Sequence, residues 1–487
     1  MASIKKNFIF NIILTMSTYI VNLLIFPIVS RALGVEMVGR IGFVVNIVNY
    51  FSLFAILGIT GIGIREIAGC KEDGEKRSKV FSEILTLSAI FTFLSVVIYL
   101  ILIFTVPRLH QYYPLFLVGV SNLIFTSFLI EWFYQGMEEF AYITYRSLII
   151  KFIYAVAILL LIHNPSDYFL YYSILTLSVV INSTINLIHA RKYVRISFKN
   201  IEIRKYLKSV VSLGAYKIMT SMYTTFNVLF LGFVCSEVIV GYYYTSTKIF
   251  YIILGIMSAF THVMLPRMSS LLASNNISEF QNKAKSSFDV MFGISIPLAI
   301  GGLIMAPVII GIISGHGYEG AITPMRIIMP VIILSSIAQI FVIQVLIPYK
   351  KDNVILNGAF AGAIVGILAN ILLVKQYGAV GSAIALLSAE IANDIVVFCY
   401  VSKSQLLKFP YSSFFKTLMA SLPYIAICLI CKFVFENKFA SLFTAVLACG
   451  IYLVFSYQVI LKDTVIHNTL IIQENKIKQK ISNYVHF

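Results

Sequence analysis

Fourteen apolar stretches follow one another along this chain, each about 20 residues long, and soluble secondary structure cannot hide so many. A run of that length crosses the hydrocarbon core of a bilayer as an α-helix, because helical backbone satisfies its own N–H and C=O groups where water cannot. The runs are continuous rather than alternating over about ten residues, which excludes a transmembrane β-barrel. The first is Phe8–Ser30 and the second Ile41–Ile64. The seventh and eighth are Val211–Phe233 and Val238–His262, the twelfth Ala379–Val401, and the last two Phe415–Phe435 and Phe439–Leu461. Charged residues make up 12% of the 487, against about 25% in a globular chain, and mean hydropathy is +0.90. The expected class is all-α, a polytopic membrane protein of about 14 transmembrane helices.

The net charge of +16 would suggest nucleic acid in a soluble protein. Here most basic residues lie in the connections. With an even number of spans both termini share a side. On that side fall 27 of the 37 Lys and Arg, with seven opposite and Lys151, Lys217 and Lys248 within spans. The positive-inside rule then places both termini in the cytoplasm and leaves no call for a nucleic-acid partner. Lys5 and Lys6 precede the first run with no small-residue cleavage site, so that run reads as a retained span.

The longest basic connection, Arg191–Lys208, follows the sixth span. Ile196, Ile201, Ile203 and Leu207 recur in it at helical intervals, which suits either an amphipathic helix on the inner leaflet or a solvated linker. Short turns, Gly34–Gly39 after the first span and Cys235–Gly241 after the seventh, each set an acid shortly before a glycine. Similar turns at positions one and seven suggest an internal repeat. The expected organisation is a six-helix lobe over 1–190, a basic linker over 191–210, a second six-helix lobe over 211–401, and two further helices with a cytoplasmic tail over 402–487.

No P-loop is present, the seven histidines are scattered, and Cys428-x-x-Cys431 lies in an apolar run without a charged partner. No catalytic residue and no metal site is expected. Charge inside the membrane is more informative, because it normally faces a bundle interior or a wet cavity. Lys248 lies ten residues into its span, about 15 Å deep at 1.5 Å per residue, too deep to snorkel easily. Lys217 is nearer the cytoplasmic end. Glu390 and Asp394 stand four apart on one helical face, where two carboxylates resist both being ionised. That is what proton coupling needs, although Glu390 could instead pair with Lys248 or Lys217. Asn46 and Asn227 could contact sugar hydroxyls or hydrogen-bond between helices. Glu131, beside Trp132, reads as an interfacial anchor.

Several stretches carry a resemblance. Pro27-Ile-Val-Ser-Arg-Ala-Leu-Gly34-x4-Gly39 is followed by Leu57-Gly-Ile-x-Gly61-x3-Arg65-Glu-Ile-Ala68. Later come Glu131-Trp-Phe-Tyr-Gln-Gly-Met-Glu138, Val240-Gly-Tyr-Tyr-Tyr-Thr-Ser-Thr-Lys248 and Leu265-Pro-Arg-Met-Ser269. In order and spacing these resemble the polysaccharide (O-antigen) flippases, Wzx-type, of the superfamily that also holds MATE drug exporters and the lipid II flippase. The resemblance implies two six-helix lobes working by alternating access in the bacterial inner membrane. The substrate would be an oligosaccharide on undecaprenyl pyrophosphate. No cofactor is implied; proton motive force or membrane potential would drive transport. The polymerase and chain-length regulator of the same pathway are implied as partners. Arg31, Lys217 and Lys248 match positions of cavity charge, with Arg31 at the outer face as a gate and Arg65 as a site of first capture. Two departures are that many members have twelve spans, and that the inward cations here are mostly lysine, which lacks arginine's bidentate fork. The rival readings are an ion-coupled MATE-type exporter, which would set acids inside the first lobe, and a polysaccharide polymerase or ligase, which would need a large outer loop.

Overall fold

The computed structural model describes residues 4–198 and 201–459. Helix α1 (Ile4–Ile56) would be ~80 Å long at 1.5 Å per residue, against a bilayer core of ~30 Å. It is two helices joined at Gly34, whose φ of 74° and ψ of 167° suit a residue without Cβ. Next come α2 (Ile59–Ala68), α3 (Gly74–Thr105), the short α4 (Pro107–His110), α5 (Tyr113–Ser127), the short α6 (Glu131–Gly136), α7 (Phe140–Leu161) and α8 (Tyr168–Ala190). After the connection come α9 (Arg204–Thr224), α10 (Phe226–Val234), α11 (Glu237–Ala273), α12 (Ile277–Ile313), α13 (Ile322–Ile328) and α14 (Val331–Gln339). A π-helical segment, Ile340–Leu346, leads to α15 (Asp352–Tyr377), α16 (Ala379–Lys403), α17 (Tyr411–Ala420), α18 (Pro423–Val434) and α19 (Lys438–Val459). No strand occurs among the described residues.

Among the described residues, twelve helical stretches are long and apolar enough to cross a membrane. One of them, Ile9–Ile56, contains the first two expected spans, and α9 with α10 stands where the seventh is expected. Twelve and fourteen are therefore the same helices counted differently, and the chain is a multi-pass membrane protein. The tail after the last span, with Lys462 and the lysines beyond it, lies outside the described residues, as does Lys199.

The chain divides into two compact units, 4–244 with Asn370–Ala379, and Thr245–Ala369 with 380–459. The core of the first unit gathers Ile62, Phe81, Ile84, Trp132, Phe133 and Tyr134. Gly63 lets the Trp132 ring lie against α2, since a Cβ there would come within 2.4 Å of it. Segment Asn370–Ala379 is fastened to this unit by Asn370 Nδ2, which donates to Asn227 Oδ1 at 2.6 Å.

Over 191–198 the connection after α8 forms no helix, and its residues from Arg195 on are exposed. Backbone and side-chain bonds strap it to α3. Arg77 donates to the Tyr193 carbonyl at 2.8 Å. The Arg195 N–H donates to Ser78 Oγ at 3.1 Å and the Ser197 N–H to Ser82 Oγ at 3.0 Å. The amides of Arg195 and Ser197 thus meet hydroxyls that lie one helical turn apart on α3. Farther on, buried Glu83 accepts from the Glu202 N–H at 3.2 Å and the Tyr206 hydroxyl at 2.9 Å, with Lys205 Nζ at 2.8 Å. These bonds, made only on folding, override the helical spacing of the apolar residues.

In the second unit α12 packs against α14, α17, α18 and α19. Phe288, Phe292, Phe341, Phe398, Phe409 and Phe414 form a continuous cluster of ring contacts. Beside it, Gly293 leaves room for the Tyr457 hydroxyl.

Candidate functional site

The expected site residues divide between the units. Arg31, Asn46, Arg65, Lys217 and Asn227 belong to the first, and Lys248, Glu390 and Asp394 to the second. Arg31 is exposed on α1 and Lys217 on α9. Arg65 is exposed near the end of α2 and pairs with the adjacent Glu66 at 2.8 Å. Asn46 is buried and donates to the Gly42 carbonyl one turn earlier at 2.7 Å. Asn227 is buried in its bond with Asn370. Lys248 is half-buried on α11.

Glu390 is 8% exposed and accepts from the Ser335 hydroxyl at 2.6 Å. Asp394, one turn on, accepts from Asn393 Nδ2 at 3.2 Å, while its Oδ2 is buried without a hydrogen bond. A buried acceptor left unsatisfied is costly, and a proton or a water would relieve it.

The first unit holds two charged clusters that the sequence did not assemble. Arg146, counted above among the connections, is buried in α7. It pairs with Glu131 at 2.8 Å and donates to Asn186 Oδ1. The Tyr134 hydroxyl donates to the Asn186 carbonyl at 2.6 Å. Glu131 is thus the counter-ion of a buried arginine rather than an interfacial anchor. It follows directly on Ile130, whose φ of 42° breaks the helix there. Lys151 braces α7 against α1, donating to Ser17 Oγ at 2.9 Å and Thr18 Oγ1 at 2.7 Å. The available signal was the polar residues Glu131, Arg146 and Asn186 within otherwise apolar runs.

The second cluster joins the two similar turns. A Cβ on Gly39 would lie 1.8 Å from the Glu237 carbonyl oxygen, and one on Gly241 2.2 Å from that of Val35. Backbone therefore meets backbone, and only glycine permits it. Arg108 locks the contact, donating to the carbonyls of Gly232 at 3.0 Å and Cys235 at 2.9 Å, with the Glu237 carboxylate at 3.3 Å. The Tyr112 hydroxyl also donates to Glu237. The Arg40 guanidinium lies over the rings of Tyr112 and Tyr168 at 5.6 and 5.3 Å.

A family model described as polysaccharide biosynthesis protein matches residues 4–272. A candidate O-antigen transporter of Escherichia coli (strain K12) is 22% identical over 418 residues, covering 83% of this chain and 98% of that one. Among solved structures, the lipid II flippase MurJ in an inward closed conformation superposes with a TM-score of 0.75 at 15% identity, covering 95% of this chain and 99% of that chain. An inward-facing MATE-family multidrug transporter superposes with a TM-score of 0.62 at 15% identity, covering 79% and 94%.

Proposed function

The chain belongs to the polysaccharide biosynthesis protein family, and on that footing we propose that it flips a lipid-linked oligosaccharide, carried on undecaprenyl pyrophosphate, across the bacterial cytoplasmic membrane. The observation that carries this reading is the family match over more than half the chain. The fold shared with a lipid II flippase along nearly the whole length supports it. The MATE fold is shared too, so fold alone does not separate glycan from drug; the family does.

In this reading the two six-helix lobes, 1–190 and 211–401, alternate access, and both termini are cytoplasmic. Half-buried Lys248 of the second unit and exposed Lys217 of the first each offer the diphosphate a point charge, Arg65 makes the first capture, and Asn46 and Asn227 serve helix packing through their bonds to the Gly42 carbonyl and Asn370. Arg31 and the Arg108–Glu237–Tyr112 cluster gate the outer side. Glu390 and Asp394 exchange the coupling proton, which the unsatisfied Asp394 oxygen and the hydroxyl partner of Glu390 support. The protein performs no covalent chemistry, and the glycan passes onward to the pathway's polymerase and chain-length regulator.

The test is a bacterial strain lacking its own flippase. Expression should restore surface glycan and clear lipid-linked oligosaccharide from the inner leaflet. Retention of that intermediate together with export of a cationic dye would favour the MATE-type reading instead.

A further inference from the structure

In the second unit the chain turns sharply between the π-helical segment and α15. Lys350 and Lys351 occupy this turn, and Lys350 takes a φ of 55°, in the left-handed region that a residue with Cβ enters at a cost. Beside the turn lies the C-terminal end of α16 with Lys403. Together they border a cavity of ≈700 Å³. Three lysines are among its lining residues, with Asn353, Asn357 and Tyr400, against a single acid, Asp352. None of the three lysines is held in an ion pair among the described residues. The positive-inside rule explains why lysines lie at this end of the helices, but it needs only their number. It does not explain why three converge on one cavity with almost no counter-charge.

The surface leading away from the cavity is apolar. Leu356, Phe360, Ile364 and Leu368 recur every fourth residue along α15, all exposed on one face, and Ile391 and Ile395 are exposed on α16. The two helices meet at Gly358, where a Cβ would lie 2.8 Å from Asn393 Oδ1 and 3.0 Å from Val397. A cationic, amide-lined cavity thus heads an apolar track.

We propose that this cavity binds the phosphate headgroup of an anionic membrane phospholipid, whose acyl chains lie along α15 and α16. Lysine brings three donors and no acceptor, a phosphodiester brings acceptors only, and the asparagine amides can reach the headgroup hydroxyls. Basic pockets between helices at the cytoplasmic membrane surface bind such lipids generally. The proposal does not depend on what the protein transports.

Cys399 is exposed, lines the same cavity and is a native reporter. The full-length protein would be placed in nanodiscs of phosphatidylcholine alone or with phosphatidylglycerol. An uncharged maleimide would be applied, and labelling of each cysteine followed by mass spectrometry. Phosphatidylglycerol should slow Cys399 at least fivefold and leave Cys235 unchanged. Combining Lys350→Gln, Lys351→Gln and Lys403→Gln should bring the effect below twofold, and Lys403→Gln alone should give an intermediate loss. Lys192→Gln, Lys283→Gln and Lys285→Gln together, equal in charge change, should keep full protection. Equal Cys399 rates in the two lipids, slowing of every cysteine alike, or protection that survives loss of the three lysines would overturn the site. A further arm adds inorganic pyrophosphate to phosphatidylcholine discs. Equal protection there would assign the cavity to a soluble phosphate and overturn the lipid.

Discussion

A cation half-buried on a membrane helix must face an anion, a dipole or water, since lipid offers none of them. Lys248→Ala should therefore abolish surface glycan in the complementation strain while membrane levels of the protein stay normal. Lys248→Arg should retain part of the activity. Normal glycan with Lys248→Ala would remove this residue from the site. Glu390→Gln should flatten the response of transport to an imposed proton gradient in vesicles; an unchanged response would assign coupling elsewhere. Ser335→Ala removes only the hydroxyl that Glu390 accepts from, so it should reduce flux several-fold and leave the gradient dependence intact. Lys248 and Glu390 were visible in the sequence as intramembrane charges, because a charge in an apolar run is conspicuous. Arg146 was not, because it sits near the start of its run and reads as part of the connection. Its partners are Glu131, beyond a helix break, and Asn186 on another helix, and no period in the sequence joins the three.

At the level of elements, two contacts decide how the first unit closes, and each can be broken by one substitution. Glu83 is fully buried, and its ammonium partner Lys205 is partly exposed. Glu83→Gln should cost about 1–3 kcal/mol, the range for a charge-assisted hydrogen bond. In detergent this should lower the melting temperature by a few degrees and speed tryptic cleavage at Lys192 and Arg195. Cleavage no faster than in the parent would mean that the strap is held by other bonds. Arg108→Ala leaves the Gly232 and Cys235 carbonyls and the Glu237 carboxylate without their donor. It should raise the labelling rate of a cysteine introduced at Val35 several-fold, reporting a loosened contact between the turns. The sequence marked both turns through their glycines and acids. It could not show that they pack on each other, because that depends on chain segments some 200 residues apart meeting in space. Of the two forms the sequence left open for the connection, the helical one is not taken over 191–198, because partners on α3 outweigh the helical spacing of its apolar residues.

For the molecule as a whole, the apolar runs carried the helical architecture, while the placement of lysine and arginine supplies its sidedness as a prediction. Reporter fusions after Lys208 and after Lys403 should both read as cytoplasmic, and one at His316 as external. Any fusion reading the other way would reverse the sidedness assigned to Arg31 and Arg65. The helix ends were less legible than the helices, because α5, α9 and α17 stop inside apolar stretches where packing rather than composition sets the break. The strap also has a consequence for biogenesis. Domains assemble during synthesis from the N-terminus onward. Yet Lys205 and Tyr206, which satisfy Glu83, are translated only after all of α8. A nascent chain that stops at the end of α8 has neither the Lys205 and Tyr206 partners of Glu83 nor the segment that covers this face of α3. A chain terminated there should therefore be cleared faster than the full-length protein, which a pulse-chase of the two would show.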